Sequence, residues 1–160
     1  MIKEKKIDVI VEMDTDLSSH PKELPKNIKF FKKEKLDLLI MSRYLPGSKI
    51  INWPLRRRIF SFFSNKLANF LLKANVSDYT MGYRIYSKKA VIQIANNCGK
   101  VGSGFIVLSE ILAELCYNNY KIKDTKTTFI NREKGDSTVG FKLIYESLIG
   151  IFKIYFKYRR

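Results

Sequence analysis

Two short apolar runs, IDVIVEM at residues 7–13 and LDLLIM at 36–41, flank a polar segment with helical spacing. Runs this brief, the first of them rich in β-branched residues, read as strands. Between them Ser18 and Ser19 can cap a helix over residues 21–31, with Pro21 in the first turn, where its missing N–H costs nothing. A strand, a crossover helix and a second strand form a βαβ unit, so the two strands are expected to pair in parallel within an α/β sheet.

The rest of the chain fits one domain over residues 1–160. After a loop with Pro46 and Gly47, residues 55–73 read as a long helix whose first turn carries Arg56, Arg57 and Arg58. Residues 83–86 read as a short strand, 88–95 as a short helix, 105–117 as a longer one, and 121–130 as one alternating strand. Residues 141–158 form a last helix that mixes Phe, Ile, Leu and Tyr with Lys142, Lys153 and Lys157, the pattern of an interfacial amphipathic helix.

Thirty Lys and Arg against fifteen Asp and Glu give a formal charge of +15, which points to an anionic partner: a phosphorylated substrate, lipid headgroups or nucleic acid. Charge alone does not choose. The bases are dispersed and carry no RNA-binding or helix-turn-helix signature, so no nucleic acid is expected. A non-catalytic basic module on an anionic membrane or on nucleic acid stays open as the alternative. Cys98 and Cys116 lack a C-x-x-C spacing and nearby His, which argues against a zinc site or a disulfide framework and for a reducing cytoplasm. No secretory signal is evident, and no run of about 18 uncharged apolar residues exists, so the chain is expected to sit peripherally on a membrane rather than cross it.

Asp14-Thr15-Asp16 follows the first strand, where ligands of open α/β sheets gather. Two carboxylates one residue apart can hold Mg²⁺ or Mn²⁺ while leaving positions for water and phosphate oxygens. An Asp-rich turn that caps the next helix is the competing reading.

The text EMDTDLSSHPKELP, followed in order by MSRYLPGS, NWPLRRRIFS, VSDYTMGYRIYS and FINREKGDST, resembles the polyprenol-phosphate (dolichol-phosphate) mannosyltransferases of glycosyltransferase family 2. The resemblance implies a GT-A type, Rossmann-like α/β domain that moves mannose from GDP-mannose to a polyprenyl phosphate with inversion. A relative using another nucleotide sugar, such as UDP-glucose, is the nearest alternative. By resemblance Asp14 and Asp16 carry the divalent cation, and Asp16, Arg43 and Arg132 are the expected catalytic residues. The family text usually has one residue fewer before the histidine; here Ser18 and Ser19 both precede His20, and Ser18 is the nearest candidate for a third metal ligand. His20 itself is read as part of the start of the helix rather than as a base.

Substrate contacts implied by the resemblance fall on Arg57 and Arg58, on Asp78, Thr80 and Arg84 in the VSDYTMGYR segment, and on Ser137. Thr138 stands where the family has Lys, so Lys134 is the candidate replacement. Glu110 in the 105–117 helix matches an acid of the family; Arg43 is open to a surface reading, Asp78 to a turn-stabilising one, and Glu110 to being a solvated helix carboxylate. Gly82 is expected to permit a positive φ or a close backbone approach. The family's opening P-T-Y-N-E-like and D-D-G-S-like segments, which bind the nucleotide, do not occur in the chain. It is therefore expected to be N-terminally incomplete and to need a complementary N-terminal segment.

Overall fold

The computed structural model describes residues 7–16, 18–102, 104–131 and 141–159, with only the backbone of residues 141–144. At its centre runs β2 (Leu38–Ser42), every residue of which is buried. A strand covered on both faces shows no polar side, which is why its sequence is a continuous apolar run rather than an alternating one. On one flank it pairs antiparallel with β4 (Arg84–Ser87), which pairs antiparallel with β1 (Val9–Glu12). On the other flank it pairs in parallel with β5 (Ile122–Lys126).

The order β1-β4-β2-β5 corrects the expectation that the first two strands are neighbours. They run parallel, but β4 lies between them, with Ile10 opposite Tyr86 and Leu39 opposite Ile85. The hydrophobic pattern marks a strand and its buried faces; it does not mark which later strand inserts beside it. The crossover helix α1 (Leu24–Glu34) is present, entered through a 3₁₀ turn at Pro21–Glu23. His20 is the N-cap of that turn, its Nδ1 accepting the Lys22 N–H at 3.1 Å, the role expected for the sole histidine.

The single strand expected over residues 121–130 breaks at Thr127. Its second part, β6 (Thr128–Ile130), leaves the central sheet and pairs in parallel with β3 (Lys49–Ile51), a three-residue strand too short to show periodicity. Glu23 makes the break: its Oε2 accepts the buried Thr127 hydroxyl at 2.6 Å and its Oε1 accepts the Thr128 N–H at 3.2 Å.

The remaining helices are α2 (Leu55–Leu72), α3 (Lys88–Asn97), α4 (Phe105–Tyr117) and α5 (Phe141–Tyr158). Ser87 caps α3 by accepting the Ala90 N–H at 3.2 Å. The core joins β2 and Ile85 of β4 to Ile106, Leu112 and Leu115 of α4 and Ile154 of α5. Gly150 lets α5 approach α4, because a Cβ there would collide with the Ile106 side chain. Lys157 reaches Glu110 at 3.0 Å and the Tyr158 hydroxyl donates to Glu114 at 2.7 Å, fastening the end of α5. Glu110 is fully buried, its other oxygen accepting the Gly99 N–H at 2.9 Å, which corrects its reading as a solvated carboxylate. A buried charge persists because it is paired and hydrogen-bonded. Helices packed around a mixed sheet give the α/β class that the resemblance implied.

Candidate active site

Because β4 is antiparallel to both β1 and β2, the loop that leads into it arrives at their carboxyl ends. That geometry gathers residues far apart in sequence. Asp14 follows β1, Arg43 follows β2, and Asp78, Thr80 and Gly82 lie in the arriving loop.

Arg43 and Asp78 form the centre. The Arg43 Nε donates to Asp78 Oδ2 and its Nη2 to Oδ1, both at 2.8 Å, a bidentate fork that only a planar guanidinium makes. The backbone N–H of Arg43 adds a third bond to Oδ2 at 3.1 Å. Thr80 completes the knot: its hydroxyl accepts from Arg43 Nη2 at 2.7 Å, and its N–H donates to Asp78 Oδ1 at 3.2 Å. Asp78 thus serves both as turn stabiliser and as partner of an arginine.

The pair is almost dry, Arg43 being 8% exposed and Asp78 0%. Burial opposes the Asp78 charge, but Arg43 overcomes it and holds the carboxyl below the usual range. Burial likewise opposes the Arg43 charge; Asp78 and, more weakly, Asp14 reverse this and raise it. The influence of Asp14 places the first carboxylate of the D-x-D pair within electrostatic reach of the fork.

Asp14 and Asp16 are both exposed. A Cβ at Gly82 would lie 3.3 Å from each Asp14 oxygen, so the loop backbone comes close to this carboxylate. This is the close approach expected of Gly82; its φ lies outside the left-handed region. Asp16 Oδ1 accepts the Ser18 N–H at 3.0 Å, a turn that presents the second carboxylate. Ser18 is buried, and its carbonyl accepts the Ile130 N–H at 2.9 Å, so its backbone is committed on both sides. Among the described residues no three His, Cys, Asp or Glu cluster as a metal site. A cation here would rest on Asp14 and Asp16 and complete its shell with water and phosphate oxygens. The hard oxygen donors fit Mg²⁺ or Mn²⁺.

The loop that carries Asp78 is pinned from below. The Ser77 N–H and hydroxyl both contact Asp124 Oδ2 of β5 at 2.7 Å, and its hydroxyl meets that of Ser42 at 2.5 Å. Arg84 acts from inside: fully buried, it donates to the carbonyls of Met81 at 2.7 Å, Tyr79 at 2.8 Å and Leu108 at 3.1 Å. Three of its donors thus hold the loop to itself and to α4. Arg57 is half-buried and Arg58 exposed in the first turn of α2. Arg132, Lys134 and Ser137 lie outside the described residues.

Sequence reasoning missed the aromatic residues around Arg43, namely Tyr44, Trp53 and Phe129. The one available signal was that Trp53 is the only tryptophan of the chain. The mixture of apolar and basic residues noted for the last helix is exposed in part, beside a similar mixture on α2. α2 exposes Leu55, Phe63 and Phe70, the last 76% accessible, and α5, which packs against α2, exposes Tyr145, Phe152 and Phe156. Exposed Arg56, Arg58, Lys66 and Lys153 stand among them. Among the described residues no helix is long and apolar enough to cross a membrane.

Residues 2–95 match the family model described as glycosyl transferase family 2. Over 149 residues the chain is 31% identical to the undecaprenyl-phosphate mannosyltransferase of Micrococcus luteus, covering 92% of this chain and 60% of that protein. Over 143 residues it is 32% identical to the polyprenol monophosphomannose synthase of Mycolicibacterium smegmatis, covering 89% of this chain and 53% of that protein. The chain therefore spans little more than half the length of these curated relatives. With the family model matching more than half of its residues, and with an α/β fold that agrees with the GT-A type, the chain belongs to glycosyl transferase family 2.

Proposed function

We propose that this chain, together with a segment matching the part of the relatives that it does not span, transfers mannose from GDP-mannose to a polyprenyl phosphate on the cytoplasmic face of a membrane. What most supports this is the gathering of Asp14 with the Arg43–Asp78–Thr80 knot at the carboxyl ends of β1 and β2. The names of the two relatives, both of which act on or make polyprenol phosphate species, agree with it.

In this reading an oxygen of the lipid phosphate attacks the anomeric carbon. A new carbon–oxygen bond forms on one face while the bond to the diphosphate breaks on the other, GDP leaving with the electron pair. The configuration inverts. The acceptor is already anionic at neutral pH, so no strong general base is needed, and electrostatics dominate. Asp14 and Asp16 would hold Mg²⁺ or Mn²⁺, which when bound supplies Lewis-acid neutralisation of the departing diphosphate. Arg43, fixed by Asp78, contributes an oriented positive charge beside Asp14. Arg57 and Arg58 supply positive charge for the lipid phosphate, with Arg132, Lys134 and Ser137 as further phosphate contacts. Arg84 shapes the loop that carries Asp78 and Thr80.

The apolar faces of α2 and α5 with their interspersed bases suit docking on an anionic bilayer, where the acceptor lies. Among the described residues strand β1 has only β4 as a partner in its sheet, and its Val9, Ile10 and Val11 are half-buried. The β-branched run Val9–Val11 on this edge suits pairing with a further strand.

The test is to co-express the chain with the portion of the Micrococcus luteus relative that it does not span, and to supply labelled GDP-mannose, polyprenyl phosphate and Mn²⁺. Mannosyl lipid is expected. Label that passes to lipid from UDP-glucose, and not from GDP-mannose, would move the donor assignment to another nucleotide sugar.

A further inference from the structure

Three aromatic rings gather around the Arg43 guanidinium of the fork. The guanidinium carbon lies 5.0 Å from the centre of the Trp53 ring, 5.4 Å from that of Phe129 and 5.5 Å from that of Tyr44. Trp53 and Phe129 also touch each other, their centroids 5.4 Å apart at 59°. The two belong to a unit separate from the central sheet. Phe129 is the middle residue of β6, and Trp53 follows β3, the parallel partner of β6. The Asn131 N–H donates to the Ile51 carbonyl at 2.9 Å, extending the pairing to the end of β3.

The same small sheet carries the D-x-D turn. Ser19 bridges to Phe129, the Ile130 N–H donates to Ser18, and the Ser18 N–H donates to Asp16. A continuous path therefore runs from Asp16 through Ser18 and β6 to the rings over Arg43, and from there to Asp78. The fork fixes the guanidinium within its own plane. Three rings with centroids 5.0–5.5 Å from the guanidinium carbon crowd it, limit its movement away from Asp78 and keep water away, which strengthens the attraction between the charges.

We propose that Trp53, together with Phe129, is a positioning residue that keeps the Arg43 guanidinium seated on Asp78 and ties that pair to the turn bearing Asp16. The clamp stands on its own geometry; only its consequence for catalysis rests on the transferase reading. Removing the indole loosens the Arg43 side chain while leaving the fold intact, and a smaller aromatic ring restores the seat.

The experiment follows the Arg43 side-chain Nε–H by nitrogen-15 NMR in the chain, the signal being assigned through its loss in Arg43→Lys. In the parent protein the signal is expected to exchange slowly with solvent. Trp53→Ala is expected to speed its exchange about tenfold while the backbone amides of β2 keep their protection, and Trp53→Phe to return it to the parent rate. Phe129→Ala, expected to act in the same direction, serves if Trp53→Ala does not fold. Unchanged Arg43 exchange in Trp53→Ala or Phe129→Ala overturns the proposal, as does faster exchange that is matched by a general loss of β2 protection. In the co-expressed enzyme Trp53→Ala is expected to lower kcat with the donor KM within about twofold, and Trp53→Phe to rescue it. Faster Arg43 exchange in a protein that transfers no sugar would uphold the clamp and defeat the transferase reading; active enzyme with an unaltered Arg43 signal would do the reverse.

Discussion

Replacing Asp78 by Asn removes one half of the driest ion pair in the described structure. Asp78 is fully buried and accepts from the Arg43 backbone, from two Arg43 guanidinium nitrogens and from the Thr80 N–H. With the carboxylate gone, an arginine that is only 8% exposed keeps its charge and loses its partner. Breaking a buried pair on one side costs about 3–5 kcal/mol. At a urea dependence of about 1–3 kcal/mol per molar, the unfolding midpoint should fall by at least about 1 M. The sign of the pH dependence follows from the lowered carboxyl. A depressed Asp contributes stability that is fully present above its unfolded value of about 4 and is lost as pH falls through its lower folded value. The gap between parent and Asp78→Asn should therefore be full at neutral pH and shrink below about pH 4. The double variant Arg43→Met with Asp78→Leu should recover most of the loss, because two apolar groups leave no unpaired charge. A cost under about 1 kcal/mol, or a gap that does not change on acidification, would refute the reasoning.

Gly82→Ala places a methyl 3.3 Å from both Asp14 oxygens, so Mn²⁺ binding followed by electron paramagnetic resonance should weaken several-fold with little change in thermal midpoint. Gly150→Ala drives a methyl into Ile106 and should destabilise by about 1–3 kcal/mol, with hydrogen exchange rising first in α5. Binding to anionic liposomes should fall by about 2 kcal/mol, roughly thirtyfold, in Arg57→Gln with Arg58→Gln, and should weaken with salt. Binding that ignores salt and anionic lipid would count against the docking surface.

Strong local periodicity made most elements legible. Helix α4 spans the residues its pattern marks, and α2 and α5 end within a residue of theirs. What the pattern could not carry was partnership. Nothing local says that the four residues of β4 insert between β1 and β2, and that insertion is what brings Asp78 and Thr80 to Arg43 and Asp14. Nor does alternation across residues 121–130 reveal that Glu23, about a hundred positions earlier, draws Thr127 and Thr128 away from the sheet. The site was legible as motifs, because loop residues at strand ends keep their identity in the sequence. Their division of labour was not. Arg43 and Arg84 look alike as isolated arginines, yet one is forked on a carboxylate beside the D-x-D turn and the other donates to three backbone carbonyls.

The most direct measurement is transfer of labelled mannose from GDP-mannose into polyprenyl phosphate by the co-expressed enzyme, with and without Mn²⁺ and with Asp14→Asn and Asp16→Asn introduced together. The account predicts lipid-linked mannose in the parent with Mn²⁺, and none without the metal or in the double variant. Undiminished transfer by the double variant, or none by the folded, metal-supplied parent from either GDP-mannose or UDP-glucose, would contradict it.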